Sequence, residues 1–263
     1  MSKNKKKKKS IIGTIIWWFT ILIATAVFLF SAYMLVTIWL EYRQGTEEYD
    51  DLRQFVSTSP AEATAIQEEE GEERTPFEPM VDFAALHEVN EDVIGWLYVE
   101  ALEEIDYPIV QGTDNDYYLH RTVKQTYNFA GSIFLESTNK SNFSEPHNIV
   151  FGHNMKNGSM FGQLRQFRDR EVYERSPYFW IYTPTANYKY KIFSVQEVRG
   201  GGDAYLLFSG PGEAVEEYAN GMAKKSEIEV PGIGFTKSSK IVTLSTCTTT
   251  DTNRLIIQGI RVD

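Results

Sequence analysis

A chain of 263 residues, 42% of them hydrophobic and with a net charge of −10, has room for one globular domain with a sizeable core and would be crowded by two. Lys3 and Lys5–Lys9 contribute +6, so the rest of the chain carries −16, the wrong sign for a nucleic-acid partner. One cysteine, Cys247, excludes an internal disulfide and leaves either a buried small hydrophobe or a reagent.

Residues 1–10 form a basic tail, and 11–40 are almost uncharged, about 30 residues where roughly 20 cross a hydrocarbon layer as a helix. Trp18 and Trp39 lie about 21 residues apart, or roughly 32 Å at helical rise, which matches two interfacial aromatic belts. Lysines before the span and Glu41 after it predict a cytoplasmic N-terminus with everything beyond Leu40 outside. A cleaved signal peptide is the competing reading, through Ala24-Thr25-Ala26, but apolar sequence continues well past that site. Residues 41–79 are rich in Glu, Thr, Ser, Ala and Pro and predict a solvated linker, into whose start a helix can run through Leu52 and Phe55.

The folded domain is expected over 80–263. Phe83 and Leu86, with Val89 or Asn90, have helical spacing. Eight short runs rich in β-branched and aromatic residues follow: 94–99, 107–110, 132–135, 148–151, 178–182, 188–194, 241–246 and 254–262. With Gly, Pro and Asn between them, they predict a mainly β fold closed or nearly closed as a barrel. Val215, Tyr218, Ala219 and Met222 fall at i, i+3, i+4 and i+7, with glutamates early and lysines late, so a helix is expected between the sixth and seventh strands. A shorter helix is expected over 159–167.

Cys247 ends the apolar run Ile241–Thr246 and opens a polar loop, where a strand end meets solvent. After residues 248–253, Arg254 starts Leu255-Ile256-Ile257; if the two runs pair as a hairpin, Cys247 and Arg254 emerge side by side. Alone, Arg254 reads as a rim partner of Asp251. A thiol near its ordinary pKa of about 8.5 is mostly protonated at neutral pH and needs an imidazole or a cation nearby. Of four histidines, His87 and His120 read as packed or surface residues, and His147 as a loop residue after Pro146. His153 follows the buried run Asn148–Phe151 and Gly152, so it stands at a strand end as Cys247 does. The three predict a site in which His153 moves a proton, Cys247 attacks a carbonyl and Arg254 holds the developing oxyanion or the substrate backbone. No metal site is expected: there is no second cysteine and no ligand-spaced His pair, and Asp114-Asn115-Asp116 lacks the glycine and final glutamate of a calcium loop.

Asn148-Ile149-Val150-Phe151-Gly152-His153-Asn154-Met155, Leu244-Ser245-Thr246-Cys247-Thr248 and Arg254-Leu255-Ile256-Ile257 resemble the three signature stretches of sortases. The resemblance runs from about Val81 to Asp263. Asp82-Phe83, Gly95-Trp96, Asp106-Tyr107-Pro108-Ile109-Val110, Asn115 with Tyr118-Leu119, and Gly131-Ser132-Ile133-Phe134 look like class B members. Phe151 stands where many members carry Tyr, and Thr248 where some carry an acidic residue. The resemblance implies an eight-stranded sortase β-barrel with an N-terminal helical appendage, preceded here by one transmembrane helix. It implies a cofactor-free cysteine transpeptidase at the outer membrane face of a Gram-positive cell. Its partners would be surface proteins with a C-terminal sorting signal, cut after Thr, and an amine of a lipid II type peptidoglycan precursor. Asn115, Leu119 and Ser245 match positions that line the sorting-signal groove. Two rivals stand beside this reading: a membrane-tethered cysteine protease, which resolves the thioester with water, and a non-catalytic surface binding module in which Cys247 is merely packed.

Overall fold

The structure, a computed structural model, describes residues 11–57, 80–247 and 252–262, with Cys247 described by its backbone alone. The basic tail, most of the expected linker, and Thr248 and Asp251 lie outside the described residues.

The chain divides into two compact units, one ending at Gln44 and the other running from Gly45 to the C-terminus. The first is the apolar part of a single helix, Ile11–Arg53, and among the described residues only this helix is long and apolar enough to cross a membrane. Two of its hydroxyls are satisfied internally: Thr20 and Thr37 donate to the carbonyls of Ile16 and Tyr33, one turn back, as suits a polar group in an apolar helix.

The second unit starts earlier than expected. The helix carries on into the start of region 41–79 as expected, to Arg53, but it buries Glu48, Tyr49 and Leu52 there, which a solvated linker would not. The reason lies in composition: Tyr49 and Leu52 are one turn apart, enough apolar surface to repay ordering that stretch. Val56–Ser57 (β1) then pairs antiparallel with Met80–Val81 (β2), which brings together the two ends of the stretch outside the described residues.

The short helix Phe83–Val89 is N-capped by Asp82, whose carboxylate accepts from Ala85 N, and it buries Leu86. Beyond it, eight strands close a barrel: Val93–Val99 (β3), Asp106–Val110 (β4), Ile133–Leu135 (β5), His147–His153 (β6), Tyr178–Tyr182 (β7), Asn187–Arg199 (β8), Ile241–Cys247 (β9) and Asn253–Arg261 (β10). Neighbours around the barrel run β10-β8-β7-β3-β4-β5-β6-β9. The pairs β4–β5 and β6–β9 are parallel and the others antiparallel. Pairs such as Leu97–Ile181, Phe179–Tyr190 and Val150–Leu244 are fully buried on both sides. β6 and β9 are buried almost throughout, polar residues included, because a parallel pair in mid-sheet is covered on both faces.

The helix between the sixth and seventh barrel strands is Glu213–Lys224, and the residues it buries are the predicted Val215, Tyr218, Ala219 and Met222. They pack on Phe193, Ile241, Ile256 and Ile260. The helix expected over 159–167 is instead a series of tight turns ending in a 3-10 turn, Leu164–Arg168, with a six-residue helix, Arg170–Arg175, after it. Phe161 N donates to His153 O and Gly158 and Met160 take positive φ, so the backbone here folds back onto the end of β6 in tight turns.

Candidate active site

The site is built at the shared end of β6, β9 and β10. In the parallel β6–β9 ladder the last pair is His153 with Cys247. On the other side of β9, Ser245 pairs with Ile256, and Thr246 Oγ1 accepts from Leu255 N at 3.0 Å. Continuing that register by one more step sets Arg254 opposite Cys247. His153, Cys247 and Arg254 thus stand at one end of three adjacent strands.

Gly152 is what lets β6 reach that position. A Cβ there would stand 2.4 Å from Ile133 Cδ1 and 2.8 Å from the Phe161 ring, so a larger residue would push the strand, and His153 with it, out of line.

His153 is buried, 6% exposed. Its Nε2 lies 2.7 Å from the carbonyl oxygen of Leu119. A carbonyl only accepts, so Nε2 carries the hydrogen and, in the neutral ring, Nδ1 is the nitrogen that accepts a proton. The His120 ring lies along the other flank, centroids 5.8 Å apart and planes 23° from parallel. Leu119 and His120 sit in the 3-10 turn Tyr118–His120, closed by Ser132 N on Tyr118 O and by Asn128 N on His120 O. Arg254 is half-buried and lies over Gly200, whose amide donates to Thr252 O at 2.7 Å. Asp251, its expected rim partner, is outside the described residues.

Of the remaining predicted residues, Ser245 is fully buried beside these strand ends, its hydroxyl 2.8 Å from Tyr205 Oη. Asn115 donates to Glu136 Oε2 at 2.8 Å and accepts from Ser137 N at 2.9 Å. Leu119 contributes its carbonyl to His153, as above. Asp114 caps the turn before Tyr118, accepting from Asp116 N and Tyr117 N, and those amides hold its carboxyl below the ordinary carboxylate range.

A profile of the Sortase domain matches residues 97–262, and sortase B of Listeria monocytogenes is 34% identical over 90% of this chain and 93% of its own length. The chain belongs to the sortase family. Solved sortase B structures from B. anthracis and Clostridium perfringens superpose with TM-scores of 0.69 and 0.64 at 28% and 31% identity. They cover 86% and 69% of this chain, and 99% and 100% of their own. This sortase is therefore a class B cysteine transpeptidase, and its closed eight-stranded barrel is the class B fold.

Two features of this sortase escape a reading of its sequence. His147, expected in a loop, is the first residue of β6 and wholly buried. Its Nδ1 donates to Leu206 O and its Nε2 accepts from the Thr243 hydroxyl, both at 2.7 Å, and burial pushes its pKa down to about 4. The aromatic row Phe134, Phe151, Tyr205 was also missed. Phe134 and Phe151 have centroids 5.3 Å apart, and Tyr205 stacks on Phe151 at 6.4 Å and 7°. The available signal was Tyr205-Leu206-Leu207, an apolar triplet in a loop, whose leucines are 51% and 42% exposed. Among the described residues, no three His, Cys, Asp or Glu side chains could hold a metal ion.

Proposed function

We propose that Cys247 is the nucleophile, His153 the proton carrier and Arg254 the oxyanion partner in cleaving a C-terminal sorting signal after Thr. The surface protein is then joined to an amine of a lipid II type peptidoglycan precursor. The observation that supports this reading is the register that pairs His153 with Cys247, with Arg254 near the start of β10, the strand that pairs with β9 on its other side.

The chemistry follows from these positions. His153, hydrogen on Nε2, takes the thiol proton on Nδ1, and the sulfur attacks the Thr carbonyl carbon. Arg254 stays charged at any working pH and meets the oxyanion as it forms. When the C–N bond breaks, the imidazolium returns its proton to the departing amine, and a thioester is left on Cys247. An acceptor amine attacks that thioester, gives a proton to His153 and releases the thiol with a new amide bond. Asn115 and Leu119 border the sorting-signal groove, with Ser245 beneath it fixing Tyr205. The helix Ile11–Arg53 anchors the enzyme in the membrane with the lysine tail in the cytoplasm and the barrel outside, where surface proteins and wall precursors meet.

Mass spectrometry of products from Thr-containing peptides, with and without an added oligopeptide amine, tests the reading. A new amide at the Thr carboxyl is expected only when amine is present. Hydrolysed product alone under saturating amine would mean that water is the physiological acceptor. Cys247→Ala should abolish turnover with the thermal transition retained, and Arg254→Lys, which keeps the charge but loses the fork, should cost roughly 100-fold in kcat.

A further inference from the structure

The end of the N-terminal helix reaches the segment that holds His153. Glu48, 6% exposed, accepts from Lys124 N through Oε1 at 2.8 Å. One residue on, the hydroxyl of Tyr49 donates to Gly131 O at 2.7 Å and stands 3.2 Å from Ser132 Oγ, while its ring packs edge-on against Tyr107. Gly45 passes so close to Asn128 that a Cβ would stand 3.3 Å from that amide nitrogen. Apart from the Tyr107 ring, these contacts all fall on residues 124–132.

That segment in turn sets the turn carrying Leu119 and His120. Ser132 Oγ donates to Arg121 O at 2.7 Å, and Ser132 N donates to Tyr118 O at 3.0 Å. Gly131 holds φ at +59° with Leu119 O only 2.4 Å from where its Cβ would be, a fit that glycine alone allows. Leu119 O is the group that accepts from His153 Nε2, and His120 is the ring stacked on it. Three short steps thus join Tyr49 to the imidazole: Gly131–Ser132, the Tyr118–Arg121 backbone, and the Leu119 carbonyl. Burial holds the Tyr49 phenol far above its ordinary pKa, so it remains a donor throughout the working range.

We infer that Glu48 and Tyr49, in the last turns of the N-terminal helix, are positioning residues for His153. They clamp residues 118–132 so that the Leu119 carbonyl keeps the imidazole's hydrogen on Nε2 and Nδ1 toward the thiol proton. The inference rests on the proposed role of His153. Losing the clamp lets the turn that carries the Leu119 carbonyl drift and misaligns the proton transfer, so the defect falls more on kcat than on KM, which moves only through Leu119 at the border of the groove.

The test uses the full chain in detergent and the fastest-cleaved member of a panel of Thr-containing pentapeptides. Rates are taken per reactive thiol, counted by alkylation of Cys247. Tyr49→Phe, which removes one oxygen, and Glu48→Ala should each lower kcat about five- to tenfold with KM within twofold, while Glu48→Gln, which keeps an acceptor for Lys124 N, should restore kcat. Full kcat in folded Tyr49→Phe and Glu48→Ala, or a raised KM at full kcat, overturns the inference. So does a Glu48→Gln enzyme as slow as Glu48→Ala, which would assign Glu48 to charge rather than to the clamp. His153→Ala separates the two levels: if it is inactive while Tyr49→Phe is unimpaired, the clamp alone falls, and if it turns over normally, the catalytic reading falls as well.

Discussion

His147 shows what one buried imidazole does to this fold. Both ring nitrogens are engaged, and burial strips away the solvation that a positive charge would need, which lowers the pKa from 6.5 to about 4. Between those values the unfolded chain binds a proton that the folded chain refuses. The stability tied to neutral His147 is therefore complete above pH 6.5 and is lost as the pH falls toward 4, by about 3 kcal/mol in all. His147→Gln has no such proton to refuse. Urea unfolding of both proteins from pH 7.5 downward should show the gap between them closing by roughly that amount; a gap that stays constant would mean that His147 is protonated in the folded state. His153 was legible as a strand-end residue, whereas the burial of His147 was not, because Pro146 before it reads as a loop and nothing local reveals Leu206 and Thr243.

Among the elements, helix Glu213–Lys224 was the most legible, since its apolar stripe repeats at helical spacing and its burial depends only on that stripe. The tight turns at 159–167 were not, because the choice between helix and turn there is settled by a distant acceptor, His153 O. The helix also carries a polar thread that its spacing does not announce: Tyr218 Oη donates to Ala204 O and accepts from Gln258 Nε2, both at 2.8 Å, and Gln258 goes on to Thr243 Oγ1 at 3.0 Å. This thread fastens the turn that bears Tyr205. Tyr218→Phe strips a buried carbonyl of its donor and should cost about 1–3 kcal/mol, seen as a lower denaturant midpoint at an unchanged slope. No change in midpoint would mean that water replaces the hydroxyl there.

For the molecule as a whole, the boundary of the folded unit lies at Gly45 rather than at residue 80. Removing residues 1–44 should leave a sharp thermal transition. Removing residues 1–79 instead also strips Tyr49 and Leu52 from the core and should lower stability by about 3–6 kcal/mol, measured by chemical denaturation of the two shortened chains; equal stabilities would show that 45–57 adds nothing to the fold. Sequence alone determined the apolar span, the strands, the amphipathic helix and the three residues put forward for catalysis, because each is a local pattern of side chains read at a fixed period or a strand end. Only the tertiary structure decided that β6 lies parallel to β9, that His153 leans on Leu119, and that a segment expected as linker clamps the turn beneath it. Those are pairings between residues far apart along the chain, chosen by the closure of the barrel and the burial it permits, and no local period encodes them.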